Sequence, residues 1–125
     1  MKNRAAVPSG ITADLLLEIF DLPVSFHRCL VPVTGAVTAA LMLSQAIWTS
    51  QTIEPSASGW FSKSQEQWTE ETGLSRWEQE TARRALRSAG FLEERRVGMP
   101  AKLWFRVRPE AVWRALQARA VPVRR

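Results

Sequence analysis

The chain has 125 residues, of which 46% are hydrophobic and 23% charged, with a formal net charge of +5. That length suits one compact domain with its own core and is too short for two large ones, and the composition is that of a folded globular protein. The chain has one cysteine, Cys29, which excludes an intrachain disulfide framework. It also has only one histidine, His27, and two such ligands are too few for a zinc site of Cys and His ligands.

The N-terminal extension, residues 1–33, is predicted to contain one helix and one extended segment. The helix falls within residues 11–20, which are too apolar for a helix that stands alone in water. Its large apolar residues are Leu15, Leu16, Leu17, Ile19 and Phe20. Pro23 and Pro32 bracket residues 24–31, which we predict to be a strand or an extended connection.

His27 and Cys29 would share one face of such a strand, as a nucleophile and its base would. No carboxylate motif, phosphate-binding glycine loop or metal-ligand cluster accompanies them, so we expect Cys29 to be a small buried hydrophobic residue. We therefore expect no enzyme activity, no metal and no cofactor. The first four residues precede no apolar secretion segment, and the apolar stretch 31–48 is interrupted by proline and polar residues. We expect a cytoplasmic, nucleoid-associated protein that does not enter a membrane.

The first core helix is predicted over residues 38–49, where small and apolar side chains recur at helical spacing. The residues that define this stripe are Val37, Ala40, Leu41, Ser44 and Trp48. A surface loop containing Pro55 follows, and residues 59–62, Gly-Trp-Phe-Ser, are predicted as a short strand that pairs with a later hairpin.

Two helices joined by a three-residue turn are predicted next. Gly73 can adopt the left-handed conformation that ends a helix, Leu74 follows as an apolar plug, and Ser75 can cap the second helix. Ser64 and Ser75 each have a Gln or Glu three residues later, which is the capping-box pattern of a helix start. Trp68, in the first of these helices, is predicted to lie in the core.

The second helix of this pair, residues 76–89, is predicted to carry an arginine-rich outer face. At about 100° per residue, small apolar residues such as Ala82 and Leu86 share the opposite side. The outer face holds Arg76, Trp77, Glu80, Arg83, Arg84 and Arg87. The alternative interpretation is a merely solubilising surface, on which Glu80 pairs with the arginines four positions away. Residues 76–108, however, contain nine Lys or Arg against four Glu, and a solubilising surface mixes positive and negative charges more evenly.

Residues 91–107 are predicted to form a β-hairpin, because the residue pattern changes from helical to alternating after Gly90. Leu103, Phe105 and Val107 fall on one face of its second strand, whereas Lys102, Trp104 and Arg106 fall on the other. The tip has no two-residue turn signal, so we expect a loop of about four or five residues. Arg95, Arg96 and Lys102 flank this tip.

In this order the elements predict an α+β fold, mainly α with a small β-sheet, of the winged helix-turn-helix type. Through LSRWEQETARRALRSAGFLEERR the sequence resembles bacterial winged-helix DNA-binding proteins. More narrowly, residues 59–94 resemble helix-turn-helix proteins encoded by phages, plasmids and other mobile elements, some of them replication-initiation proteins. The resemblance covers residues 34–108 and is carried by the Gly-Leu-Ser turn, the Leu86 to Gly90 spacing and Gly-Trp-Phe at 59–61.

The resemblance implies a sequence-specific double-stranded DNA-binding domain at residues 34–108, most simply that of a transcriptional regulator. Helix 76–89 would read bases in the major groove, and hairpin 91–107 would contact the backbone or the minor groove. The predicted base contacts are Arg76, Gln79, Glu80, Arg83 and Arg84. The predicted backbone and wing contacts are Lys63, Ser64, Ser75, Arg87, Arg95, Arg96 and Lys102.

Two alternatives stay open. The same module serves as a replication-initiation or accessory protein of a phage or plasmid, or its outer face docks an acidic protein instead of DNA. Salt separates the last alternative from the others, because phosphate contacts weaken steeply as salt rises and a mainly apolar protein contact does not.

The C-terminal part, residues 109–125, is predicted to be a helix opened by Pro109, with Val112, Trp113 and Leu116 on one side, followed by a basic tail. The net charge is −1 over residues 1–58, −2 over 59–75, +5 over 76–108 and +3 over 109–125, so a polyanion would meet the C-terminal half. The apolar faces of the two ends either cover each other and the core or pair across a twofold axis. Of these two arrangements, we expect the homodimer.

Overall fold

The computed structural model describes residues 10–119, and within that range it contains six α-helices and one three-stranded antiparallel sheet. The helices are α1 (Ala13–Ile19), α2 (Leu30–Thr34), α3 (Val37–Ser50), α4 (Gln65–Thr72), α5 (Arg76–Ala89) and α6 (Pro109–Arg119). The strands are β1 (Phe61–Ser62), β2 (Leu92–Val97) and β3 (Lys102–Val107). The predicted α+β class is confirmed. The predicted basic tail, residues 121–125, lies outside the described residues.

Helix α3 is the centre of the fold and contacts α2, α4, α5 and β3. Its buried face is rich in small residues such as Ala40 and Ala46, so neighbouring elements approach its backbone closely. The helix predicted over residues 38–49 is confirmed to within one residue at each end. The predicted stripe is wrong for Val37 and Trp48, which are 58% and 57% exposed, because they lie near the two ends of α3, beyond the elements packed against its middle.

The sheet has the strand order β1-β3-β2, so β3 is its central strand. Phe61 pairs with Phe105 across β1 and β3. Both rings pack with Trp68 of α4, with ring-centroid separations of 5.4 to 6.4 Å, and this aromatic cluster joins the sheet to α4. The core position of Trp68, the short strand within residues 59–62 and the length of the hairpin loop, residues 98–101, are confirmed.

The segment after α1 differs from its prediction. Residues 22–27 have no regular structure, which fits the predicted extended connection, but Leu30 and Val31 at the end of the predicted range 24–31 begin helix α2. Pro32 is compatible with α2 because it lies in the first helical turn, where its missing N–H costs no helical bond. Leu30 is buried in the core, so the predicted domain boundary at residue 33 cuts a helix that belongs to the core. Cys29, predicted to be buried, is exposed.

Helix α6 begins at Pro109 as predicted and places Val112 in the same core. Leu116 packs partly against that core, whereas Trp113 is 63% exposed and is not covered by it. It lies about 100° around the helix from Val112, which turns it toward the helix edge. No helix within residues 10–119 has both the length and the apolar composition needed to cross a membrane.

An ion pair between the buried Lys63 and the partly exposed Glu71 joins three of these elements. Lys63, directly after β1, pairs with Glu71 of α4, and its ammonium also donates a hydrogen bond to Thr49 Oγ1 of α3 at 2.9 Å. Gln45 of α3 donates to the same Glu71 carboxylate at 2.9 Å. The Lys63 ammonium lies 4.9 Å from the centroid of the Trp68 ring. The ion pair therefore fixes α4 against α3 and the sheet.

We predict that Glu71→Gln lowers the free energy of unfolding by about 2 kcal/mol, because it leaves the buried Lys63 ammonium without its carboxylate. Urea denaturation followed by tryptophan fluorescence measures the change. Glu70→Gln is the matched control, since Glu70 is exposed and forms no ion pair within the described residues. Equal losses in the two variants would contradict a structural role for the pair.

Candidate nucleic-acid interface

Helices α4 and α5 are joined by residues 73–75, and both helix starts are capped locally. The side chains of Ser64 and Ser75 accept hydrogen bonds from the backbone N–H three residues later, at 3.1 and 3.2 Å, and both capping boxes are complete. Gly73 has a φ of 79°, the left-handed conformation that ends α4. The predicted turn, both capping boxes and the bounds of helix 76–89 are confirmed.

The prediction that Gln79 contacts a base is wrong, because its side chain is fully buried. Its amide nitrogen donates to the Gln65 carbonyl, the Leu74 carbonyl and Thr69 Oγ1, at 2.9 to 3.2 Å. These bonds tie α5 to α4 and to the turn, so Gln79 sets the angle between the two helices. The signal lies in the sequence, since residues 79, 82 and 86 share one helical face.

Arg83 is not free to read bases either. Its guanidinium binds Glu94 of β2 through two hydrogen bonds, at 2.9 and 3.3 Å, and the two side chains are only 14% and 10% exposed. Arg87 binds the same carboxylate at 2.8 Å. Glu94 therefore holds the hairpin against α5 and uses two of the four arginines predicted to face outward.

Lys63 does not lie where the sequence predicts it. Instead of reaching a phosphate beside the start of α4, its ammonium is buried in the ion pair with Glu71. Ser64, by contrast, is exposed at the N-terminus of α4, and Ser75 is exposed at the N-terminus of α5.

Glu93 and Glu94 bind arginines on opposite faces of the hairpin. Burial by itself would raise the pKa of Glu94, but the hydrogen bond and charge of Arg83, followed by those of Arg87, outweigh burial and hold that pKa below its ordinary value of 4.5. The hydrogen bond from Arg106 is the main cause that lowers the pKa of Glu93. These two carboxylates together pair with four arginines: Arg83, Arg87, Arg106 and Arg108.

Side chains from three separate parts of the sequence meet in one open groove between α5 and the hairpin. The exposed cations around it are Arg76, Arg96 and Lys102, and Ser64 lies at the α4 side. Glu80 also lines the groove, 3.7 Å from Arg76. The other predicted residues that line it are buried or partly buried: Lys63, Gln79 and Arg83. The structure therefore brings together eight of the twelve predicted contact residues.

The remaining predicted residues lie elsewhere. Arg84 is exposed on the middle of α5, whereas Arg95 lies on the sheet face that points away from the groove. There the Arg95 guanidinium stacks over the Trp60 ring at 4.5 Å, and Arg106 lies 4.8 Å from the same ring. Strand alternation carries the signal for this placement, because Arg95 and Arg96 must point to opposite faces.

Two exposed apolar residues of α5 and the hairpin are not among the twelve predicted contact residues. Trp77, at the start of α5, is 71% exposed, and Met99, at the hairpin tip, is 98% exposed. The sequence alone leaves Trp77 open between stacking on a sugar and a dimer contact. Met99 carries no signal, because a lone apolar residue within a loop has no periodicity.

Within residues 10–119, no group of three or more His, Cys, Asp or Glu side chains is placed to hold a metal ion. Comparison of the chain with protein-family models, with curated proteins and with solved structures found no match. Function is therefore inferred from the residues and geometry of this chain.

We predict that Glu94→Gln lowers the free energy of unfolding near neutral pH by about 3 kcal/mol, because it breaks a nearly buried link to two arginines. Because the folded-state pKa of Glu94 is lowered, its contribution is present above about pH 4.5 and is lost as the pH falls through the folded-state value. Urea denaturation at about pH 7 and about pH 3 should therefore show a difference from the unmodified chain that shrinks in acid.

Glu93→Gln is the matched control on the same strand, since Glu93 is more exposed than Glu94 and its ion pairs contribute less. We expect it to cost about 1 kcal/mol or less. A pH-independent difference for Glu94→Gln would contradict the role assigned to its carboxylate.

Proposed function

We propose that this protein binds double-stranded DNA sequence-specifically and acts as a transcriptional regulator. In this proposal α4, the turn and α5 are the helix-turn-helix of a winged-helix domain, and the β2–β3 hairpin is its wing. The observation that carries the proposal is the groove in which Arg76, Arg96 and Lys102 converge from separate segments. Cations around a concave surface create a positive potential that attracts a polyanion.

Helix α5 has dimensions that suit the major groove. Its 14 residues make it about 21 Å long, and the major groove, about 12 Å wide, admits an α-helix. Arg76, Glu80 and Arg84 recur at every fourth position along its exposed side. Arginine donates two hydrogen bonds to guanine O6 and N7, and glutamate accepts one from cytosine N4. The base contacts proposed are therefore these three residues, without Gln79 and Arg83.

The backbone contacts proposed lie at the edges of the same surface. Ser64 and Ser75 stand at helix N-termini, where backbone N–H groups favour anions. No ion pair within residues 10–119 involves Arg84, Arg96 or Lys102, so these side chains keep their full charge for an external anion. Arg95 stacks over Trp60 on the sheet face that points away from the groove, and it is not among the contacts proposed. Arg87 shares its charge with Glu94 and contributes less. Met99 at the tip is an apolar side chain of the kind that minor-groove binders insert between bases.

A replication-initiation or accessory role for a phage or plasmid uses the same DNA-binding surface. It differs in the DNA site recognised and in the events after DNA binding, and neither is encoded in the geometry of this fold. Docking of an acidic protein is the alternative favoured by one observation, the 71% exposed Trp77 beside the arginines of α5, since tryptophan and arginine are enriched at protein interfaces.

Selection from a random duplex library, followed by titration of the enriched sequence and a scrambled one at two salt concentrations, tests the proposal. We expect an enriched motif bound at least about a thousandfold more tightly than its scramble, with affinity that falls steeply as salt rises. Salt-sensitive binding without sequence preference would favour an accessory role in replication. The absence of DNA binding would contradict the proposal and favour a protein partner.

We predict that Arg84→Ala lowers affinity for the enriched sequence by about 1–3 kcal/mol and relaxes its preference over the scramble. Lys102→Ala should weaken both sequences alike and reduce the salt slope by about one. Arg114→Ala is the matched control, because Arg114 is an exposed arginine on α6, outside the groove. Equal losses on both sequences for Arg84→Ala would contradict base reading by Arg84.

A further inference from the structure

Trp77 lies at the centre of the exposed face of α5, opposite the side that packs on the core. Nine positions separate it from Leu86, which is fully buried. At about 100° per residue this is two and a half turns, so the two side chains leave α5 in opposite directions. Trp77 is accordingly 71% exposed. A partner that approaches α5 from outside therefore meets the indole ring of Trp77.

The same angular steps define which residues accompany Trp77. Thr81 and Arg84 lie about 40° and about 20° around the helix from it, and both are exposed. Arg76 and Glu80 lie about 100° and about 60° away, on the side of the groove that they line. We call Trp77, Thr81 and Arg84 the crest of α5, since they form its outermost line.

The side chains of the crest fit a nucleic acid better than a protein. The neighbours of Trp77 three, four and seven positions along the helix are Glu80, Thr81 and Arg84, and none is apolar. The core of a protein interface brings several apolar side chains together, whereas the crest offers one. Arg84 forms no ion pair within residues 10–119. The crest therefore combines an isolated apolar ring with an unneutralised positive charge.

Both features have a counterpart on the floor of the major groove. Thymine alone presents a methyl group there, on C5, and apolar side-chain groups contact it. The indole of Trp77 and the methyl group of Thr81, one turn apart, can make such contacts, and Arg84 can donate two hydrogen bonds to guanine. The seven residues from Trp77 to Arg84 rise about 10.5 Å, which is close to three base-pair steps of about 3.4 Å.

We propose that Trp77 is a specificity-determining residue that recognises the C5 methyl group of a thymine, about three base pairs from a guanine bound by Arg84. This inference rests on the proposed function and names part of the DNA site. It adds an apolar contact to the hydrogen bonds of the arginines. Such a contact involves no phosphate, so its loss lowers affinity without changing the salt slope.

Replacement of single thymines in the enriched DNA sequence by deoxyuridine tests the proposal, because it removes only the C5 methyl group. We expect a thymine at which this replacement weakens binding by about fourfold, which corresponds to one methyl group no longer buried. A guanine should lie about three base pairs away. The salt slope measured at that position should be the same for both DNAs.

Trp77→Ala should weaken binding to the thymine DNA by about tenfold, and it should abolish the difference between thymine and deoxyuridine at that position. The side chain of Trp77 is exposed, so the variant should fold, which circular dichroism verifies. Trp113→Ala is the matched control, because Trp113 is a 63% exposed tryptophan of α6. It should leave both the affinity and the difference unchanged.

A Trp77→Ala variant that still distinguishes thymine from deoxyuridine would overturn the proposal. So would an enriched sequence in which no deoxyuridine weakens binding. Equal weakening of the thymine, deoxyuridine and scrambled DNAs by Trp77→Ala would assign its ring to a sugar instead. In each of these results the unmodified chain binds the enriched DNA, so the proposed function stands. A chain that binds no DNA would overturn both.

Discussion

The spacing between α5 and the hairpin depends on the carboxylate of Glu94. It accepts hydrogen bonds from Arg83 and lies within ion-pair distance of Arg87, so one side chain from β2 binds two successive turns of α5. On the other side of α5, the Gln79 amide binds α4 and the turn. Both links are needed for the shape of the groove between α5 and the hairpin. In neither link do the adjacent residues in the sequence indicate which partner the side chain binds.

These links change how the charge of the molecule is interpreted. Residues 76–108 carry a large positive excess, but Glu93 and Glu94 do not neutralise the cations of this segment evenly. Each binds two arginines, and the arginines so bound brace the sheet and α5. The positive charge that is not paired within the fold is therefore concentrated on fewer side chains, around the groove and at the hairpin, and the proposed function uses these side chains.

The two ends of the described chain behave differently. α6 contributes Val112 to the core and is part of the domain, and α2 contributes Leu30. Helix α1 contributes nothing to that core, although it is among the most apolar segments of the sequence. Burial of apolar surface is the main stabilising term available to such a helix, and α1 obtains none of it from this core.

The local elements could be predicted from the sequence alone, because their causes are local. Capping hydroxyls lie within three residues of the N–H groups they satisfy, Gly73 ends α4 by its own φ, and alternation defines the faces of β3. The predicted bounds of α5, the short strand, the hairpin loop and the core position of Trp68 follow from such signals. The overall α+β class follows from their order.

Which polar side chains remain available is a property of the folded chain alone. Helical spacing places Arg83 outward, but a glutamate 11 positions away in the sequence meets it, and Lys63 turns inward because Glu71 and Thr49 lie beneath it. The same holds for Leu30 and Val31, which the bracketing prolines place in a strand or extended connection and which begin helix α2, with Leu30 buried in the core. Burial and ion pairing depend on residues that folding brings together from distant parts of the chain. The periodicity of the sequence does not identify these residues.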